Sequence, residues 1–328
     1  MRRREFIALT GASVTWPFAA MGQEPGRTYR LGFLSPSTRD VHCAPPCSFY
    51  VLFFDGLRRR GFIEGQNLTI DFRAFAPHLD LISQYAAEMV TAQPDVIVTG
   101  GGVAVRAVQQ ATKTLPIVGV ADDMVGEGLV ESHARPNGNT TGISILATEL
   151  DGKRQEILIE AVPGLRRMAA LADSSTLTEA KARALQEGAR AHNVELSIYR
   201  ITRGEEIAAA IDKAQVSGAK ALNIFASPML DSNVPLIMER VATLRLPAMY
   251  QWPAWAELGG FIGYGPPLDQ FADLTARFAA SLLRGTKPAD LPIEQPTKFE
   301  LVINLKTAKA MGVTVPEALL VRADKVIE

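Results

Sequence analysis

Cysteine is nearly absent from this chain of 328 residues: Cys43 and Cys47 are the two, with Ala44-Pro45-Pro46 between them. Two thiols and the neighbouring His42 leave a tetrahedral metal site one ligand short, so no metal is expected. In an oxidising compartment the pair reads as a local disulfide; free thiols or a metal are the alternatives. The four histidines, His42, His78, His133 and His192, stand singly, without the two-histidine spacing of a zinc helix. Neither sign of charge prevails, with 34 basic residues against 35 acidic ones. Nucleic acid would ask for a basic face, so it is not an expected partner. Beyond the N-terminus no apolar run reaches the roughly 20 residues that a bilayer demands.

Catalytic signatures are missing too. Gly142-Ile143-Ser144 lacks the second glycine of a nucleophile elbow. Gly100-Gly101-Gly102 precedes a helix without forming Gly-x-Gly-x-x-Gly, and no Lys-Ser or Lys-Thr follows at phosphate-loop distance. Asp122-Asp123 alone is a weak cation signal. No nucleophile, base and orienting group assemble, so neither an enzyme nor a cofactor is expected.

What is present begins at the terminus. Arg3-Arg4-Glu5-Phe6 is a twin-arginine pair opening into the apolar run Ile7 to Ala20, followed by small residues. A basic segment, an apolar stretch and small residues make an export signal over residues 1–22, with a soluble periplasmic protein starting near Gln23.

Then a cadence sets in. Tyr29 to Leu34 is a short strand, Phe49 to Arg60 a helix ending in three arginines, and Asn67 to Phe72 a strand. Leu79 to Ala92 is helical, Asp95 to Val98 a buried strand, Val103 to Thr112 a helix, and Leu115 to Val120 another strand. From Arg167 the alternation resumes, through strands at 167–172, 194–199, 221–225 and 246–250. Strand, helix, strand means right-handed crossovers and parallel sheets. A buried strand, a polar turn, a helix, then Leu-Pro and a strand occur at 95–120 and again at 221–250. Two similarly wound lobes follow, with the loop-rich Arg135 to Gly142 as the crossing between them.

In open parallel sheets ligands bind at the carboxyl ends of strands. That rule selects Ser35, Gly100, Gly101, Gly102, Asp122 and Asp123 in the first lobe, and Asp173, Ser174, Ser227, Tyr250 and Gln251 in the second. Aromatics cluster just beyond, at Tyr250, Trp252, Trp255, Phe261 and Tyr264, with Trp252 and Tyr264 as candidate pocket walls. A ligand amine would suit Asp122 or Asp173; a carboxylate would suit the amides at Gly101 and the hydroxyls of Ser35 and Ser227. No arginine stands at a strand exit, which favours a less polar or aromatic solute.

Four stretches carry a resemblance: Arg3 to Ile7, Gly61-Phe-Ile-Glu-Gly-Gln-Asn67, Gly138-Asn-Thr-Thr-Gly142, and the long tail Lys287 to Lys309. The chain resembles the periplasmic substrate-binding proteins of ABC transporters, with a type I periplasmic-binding-protein fold: two doubly wound α/β lobes of parallel sheet joined by interlobe crossover strands. The resemblance implies lobe one at 28–145 plus 267–291, lobe two at 146–266 plus 292–328, and crossings near 145, 266 and 292. It implies a monomer that closes on a small organic solute, amino-acid-like or an aromatic or organic acid, and docks on membrane permease subunits. The segment Thr38 to Ser48 departs from the family pattern. The alternatives are a secreted α/β enzyme acting on a small metabolite and a ligand-sensing subunit of a receptor. Repressors of this fold carry a helix-turn-helix ahead of lobe one; an export signal stands there instead.

Overall fold

In the computed structural model the described residues are 26–36, 49–75 and 78–328. The leader, and Cys43 with Cys47, lie outside them. The first half alternates as β1 (Tyr29–Ser35), α1 (Phe49–Arg59), β2 (Leu68–Ala74), α2 (Ile82–Thr91), β3 (Val96–Gly100), α3 (Gly102–Ala111), β4 (Ile117–Ala121) and β5 (Thr140–Ser144). The second continues through α4 (Leu150–Ala161), β6 (Arg167–Asp173), α5 (Glu179–Ala191), β7 (Glu195–Ile201), α6 (Ile207–Val216) and β8 (Leu222–Ile224). Then come α7 (Pro228–Ser232), α8 (Val234–Leu244), β9 (Ala248–Tyr250), α9 (Pro253–Glu257) and β10 (Ile262–Gly265). A long α10 (Leu268–Leu283), β11 (Glu300–Asn304), α11 (Leu305–Met311), α12 (Glu317–Leu320) and β12 (Lys325–Ile327) close the chain.

Two sheets result, in the orders β2-β1-β3-β4-β5 and β12-β11-β10-β9-β8-β6-β7. The first is parallel throughout. The second is parallel except where β11 runs against β10, Glu300 facing Gly265. That reversal has a simple cause. The chain leaves β10 through Pro266-Pro267 into α10, which packs on α1 and against β3, β4 and β5 of the first sheet. It must re-enter the second sheet from the end at which it left. Strand order reverses at β1/β3 and at β6/β8, the places where an open α/β sheet parts its loops into a crevice.

Alternation along each strand makes the lobes doubly wound. Leu31 and Phe33 pack with α1 and α10 on one face, while Leu34 packs with α2 and α3 on the other. In β6, Ala169 and Leu171 point opposite to Met168, Ala170 and Ala172. One apolar cluster runs through both lobes, from Phe33, Phe49 and Phe53 through Phe271 to Trp252, Trp255 and Tyr250. Thr140 to Gly142, read from sequence as loop, are the first residues of β5, wholly buried beside β4. Its threonines are β-formers, and pairing with β4 outweighs the glycine.

Candidate functional site

The strand exits named from sequence are not equivalent. Ser35 is fully buried at the end of β1, and its hydroxyl bonds the phenol of Tyr50 on α1. The Gly101 amide donates to Val120 O at 2.8 Å, and its φ of +91° is one that glycine adopts without strain. A Cβ there would sit 3.5 Å from Cγ of Pro228, the first residue of α7, so the two lobes touch at this point. At Gly102 a Cβ would overlap the carboxylate of Glu127, which therefore lies over the start of α3. Glu127 Oε1 accepts from the Asp123 amide at 3.2 Å. Burial raises its pKa, with Asp122 and Asp123 adding to the rise against two backbone hydrogen bonds.

Asp122 accepts from both the amide and the hydroxyl of Thr148, tying the exit of β4 to the segment that leaves β5. Asp123 accepts from the amides of Val125 and Gly126, an ordinary turn. Asp173 takes the amide and hydroxyl of Ser175 on one oxygen and the Ser227 hydroxyl, at 2.7 Å, on the other. Ser227 also caps α7 by accepting from the amides of Met229 and Leu230. Ser174 is exposed, and its amide bonds Ile201 of β7, the outermost strand on that side. Among the described residues no group of three or more His, Cys, Asp and Glu side chains could hold a metal ion.

The aromatics divide between faces. Tyr250, 1% exposed, lies against the backbone of Gly260, and its hydroxyl is buried without a hydrogen-bond partner. Tyr264 is on the opposite face of the second sheet, its ring 6.3 Å from that of Phe299. Trp252 instead reaches across to the first lobe. Its ring lies 5.2 Å from Phe271 of α10, and Phe271 lies 5.4 Å from Phe49 at the start of α1. The indole Nε1 of Trp252 is buried with no acceptor at bonding geometry. Thus Gly101, Pro228, Trp252, Phe271 and Phe49 line one interlobe seam, whereas Ser174 and Tyr264 stand apart from it.

Two groups at this seam escaped the sequence reading. Asp231, one turn into α7, accepts from Trp255 Nε1 at 2.9 Å. The residue is partly exposed, but its carboxyl lies deep among Trp252, Trp255 and Gln251. Desolvation pushes its pKa up to about 6, against the lowering pull of those three neighbours. The only sequence hint was an acid four residues after a helix-capping serine, beside the aromatic cluster. Arg154 of α4 gave no hint at all. It is 0% exposed, donating to Tyr264 O at 2.8 Å, Ala147 O at 2.7 Å and Gln251 O at 3.3 Å, with Asp151 at 3.0 Å. One guanidinium thereby clasps the segment leaving β5, the end of β10 and the exit of β9. Gly265 keeps that site closed, since a Cβ there would overlap the Gln251 carbonyl. Away from the seam, a groove of about 320 Å³ runs between α4 and α5, lined by Gly152, Gln155, Lys181 and Gly188.

The model of a protein family described as "ABC transporter substrate binding protein" matches residues 50–327. The chain belongs to that family. A curated relative, the tyrosine-binding protein of Clostridioides difficile (strain R20291), is 23% identical over 261 residues, 79% of this chain and 75% of its own. A conserved domain protein from Vibrio cholerae, solved by crystallography, superposes with a TM-score of 0.78 at 25% identity, over 92% of this chain and 100% of its own. The ABC domain from Streptococcus pneumoniae in complex with L-Trp gives 0.76 at 22% identity, with the same coverage. The family and the curated relative are described as substrate-binding and tyrosine-binding proteins, solute binders rather than enzymes. Among the described residues of this member, no helix is long and apolar enough to cross a membrane.

Proposed function

We propose that this substrate-binding protein works outside the cytoplasm, capturing an amino-acid-like or aromatic solute in the interlobe seam and delivering it to a membrane permease. In this reading lobe one comprises 28–145 and 267–291, and lobe two 146–266 and 292–328. The terminal twin-arginine segment directs export to the periplasm, and the mature chain acts as a monomer. The observation that carries the reading is the ring of Trp252 lying on Phe271 of α10, an aromatic contact across the seam between the two lobes. Lobe closure then follows from contacts the solute makes with both lobes at once.

Ser35, Gly101, Gly102 and Asp122 would border the solute from lobe one, with Ser227, Tyr250 and Trp252 from lobe two. Mass spectrometry of small molecules released from the purified protein identifies the solute, and isothermal titration of that solute into Trp252→Ala tests the site. Removal of the ring is expected to weaken binding by about 1–3 kcal/mol, roughly 5- to 150-fold. Binding unchanged in Trp252→Ala would place the solute elsewhere.

A further inference from the structure

The polar groups that a carboxylate-bearing solute would seek are already engaged inside the protein. The Gly101 amide bonds Val120, the Ser227 hydroxyl bonds Asp173 and caps α7, and the Ser35 hydroxyl bonds Tyr50. The start of α3, a natural anion seat, has the Glu127 carboxylate laid over Gly102. A second carboxylate there would meet like charge from Glu127 and the adjacent Asp122 and Asp123.

The acids differ in the opposite sense. Both oxygens of Asp122 are held by Thr148, and both oxygens of Asp173 by Ser175 and Ser227. Asp231 accepts from Trp255 Nε1, with Gln251 and Trp252 also lowering its pKa as hydrogen-bonding neighbours, but among the described residues no lysine or arginine pairs with it. A desolvated carboxylate without a counter-ion is a costly arrangement in a finished core. This one lies one turn from Pro228, which touches lobe one at Gly101, and beside the Trp252 indole that spans to Phe271. Trp255 turns its N–H edge, not its face, to this carboxylate, so a cation would be held here by the charge of the carboxylate itself.

Building on the seam proposed above, we infer that Asp231 is the counter-ion of an ammonium group on the solute. The ammonium, more than any carboxylate, then sets affinity. The solute class is an aromatic amine or amino acid: a cationic nitrogen on the Asp231 carboxylate, with a flat body along Trp252 and Phe271. An aromatic acid without an amine is rejected, because it would set one desolvated carboxylate beside another.

Three probes that share one ring separate the possibilities: L-tyrosine, tyramine, and 3-(4-hydroxyphenyl)propionate, each titrated calorimetrically into the full chain and into Asp231→Asn. Tyramine is expected to bind within about tenfold of L-tyrosine, and the amine-free acid about 100-fold more weakly than either. Asp231→Asn is expected to weaken both amines by about 30-fold or more while the chain stays folded by circular dichroism. Amine binding that survives Asp231→Asn but is lost in Trp252→Ala overturns the role of Asp231 and leaves the seam intact. So does a preference for the amine-free acid over tyramine. Binding of none of the three probes overturns the aromatic solute class itself, and the inference falls with it. Should Asp231→Asn fail to fold, the order of the three probes on the unaltered chain decides.

Discussion

Asp151 and Asp231 are two acids of the same lobe, and desolvation raises each to a pKa of about 6. Their surroundings differ. Asp151 has Arg154 at 3.0 Å, Lys181 at 3.8 Å and the Ala226 amide at 3.2 Å. Asp231 has indole and amide neighbours only, and one indole bond at 2.9 Å. Similar pKa shifts therefore arise in different settings. Asp151 completes a closed circuit whose guanidinium holds three strand-exit segments together, and nothing from solution is needed to finish it. Asp231, among the described residues, has no lysine or arginine to neutralise it. That difference is the ground on which a ligand cation is proposed at Asp231 and not at Asp151.

The comparison can be broken from either side. The largest effect is expected from Arg154→Met, which leaves Asp151 buried beside carbonyls that have lost their donor. It should cost about 3–5 kcal/mol in urea unfolding. Adding Asp151→Asn to that variant should recover part of the loss, because no orphaned charge then remains; full additivity would refute a coupled pair. For Asp231 the sign reverses. Replacing an unpaired buried carboxylate with a neutral amide should raise the stability of the ligand-free chain at pH 7 by about 1–2 kcal/mol, read as an upward shift of Tm.

Proton linkage sharpens the same contrast. Both acids have folded-state values of about 6, above the ordinary 3.8, so the folded chain holds protons that the unfolded chain has released. Their contribution to stability is greatest below about pH 4 and declines as the pH rises from about 4 to about 6. Asp231→Asn should flatten that part of the profile measured by urea melts. Asp273 behaves in the reverse way, because hydrogen bonds from Arg60 and Arg59 hold it down to about 2. Its contribution is present above about pH 4 and is lost as the pH falls towards 2. The pair is open to solvent, so Asp273→Asn should cost less than about 1 kcal/mol at pH 7, the smallest effect of the series.

Much of the fold was legible because strands and helices write their periods into neighbouring residues. The run Asp95 to Val98 announced β3, and the arginines at 58–60 marked the end of α1. Where reading went astray, pairing decided. Thr140 to Gly142 resembled a loop until β4 gave it a partner, and the reversed β11 depended on where α10 delivered the chain. The site was less legible. Strand exits could be located, but which of their groups were engaged could not, since Asp122 finds Thr148 and Gly102 finds Glu127 only after the loops fold.

Sequence alone determined the βα alternation, the two lobes and the places where their strands end, because apolar period and turn residues act over a few positions. Tertiary structure alone decided that Trp252 would lie on Phe271, that Trp255 would bond Asp231, and that Arg154 would clasp Tyr264. Those partners stand 19, 24 and 110 residues apart or nearly so along the chain. Strand order and the crossings between lobes bring them together, and no local pattern of side chains encodes either.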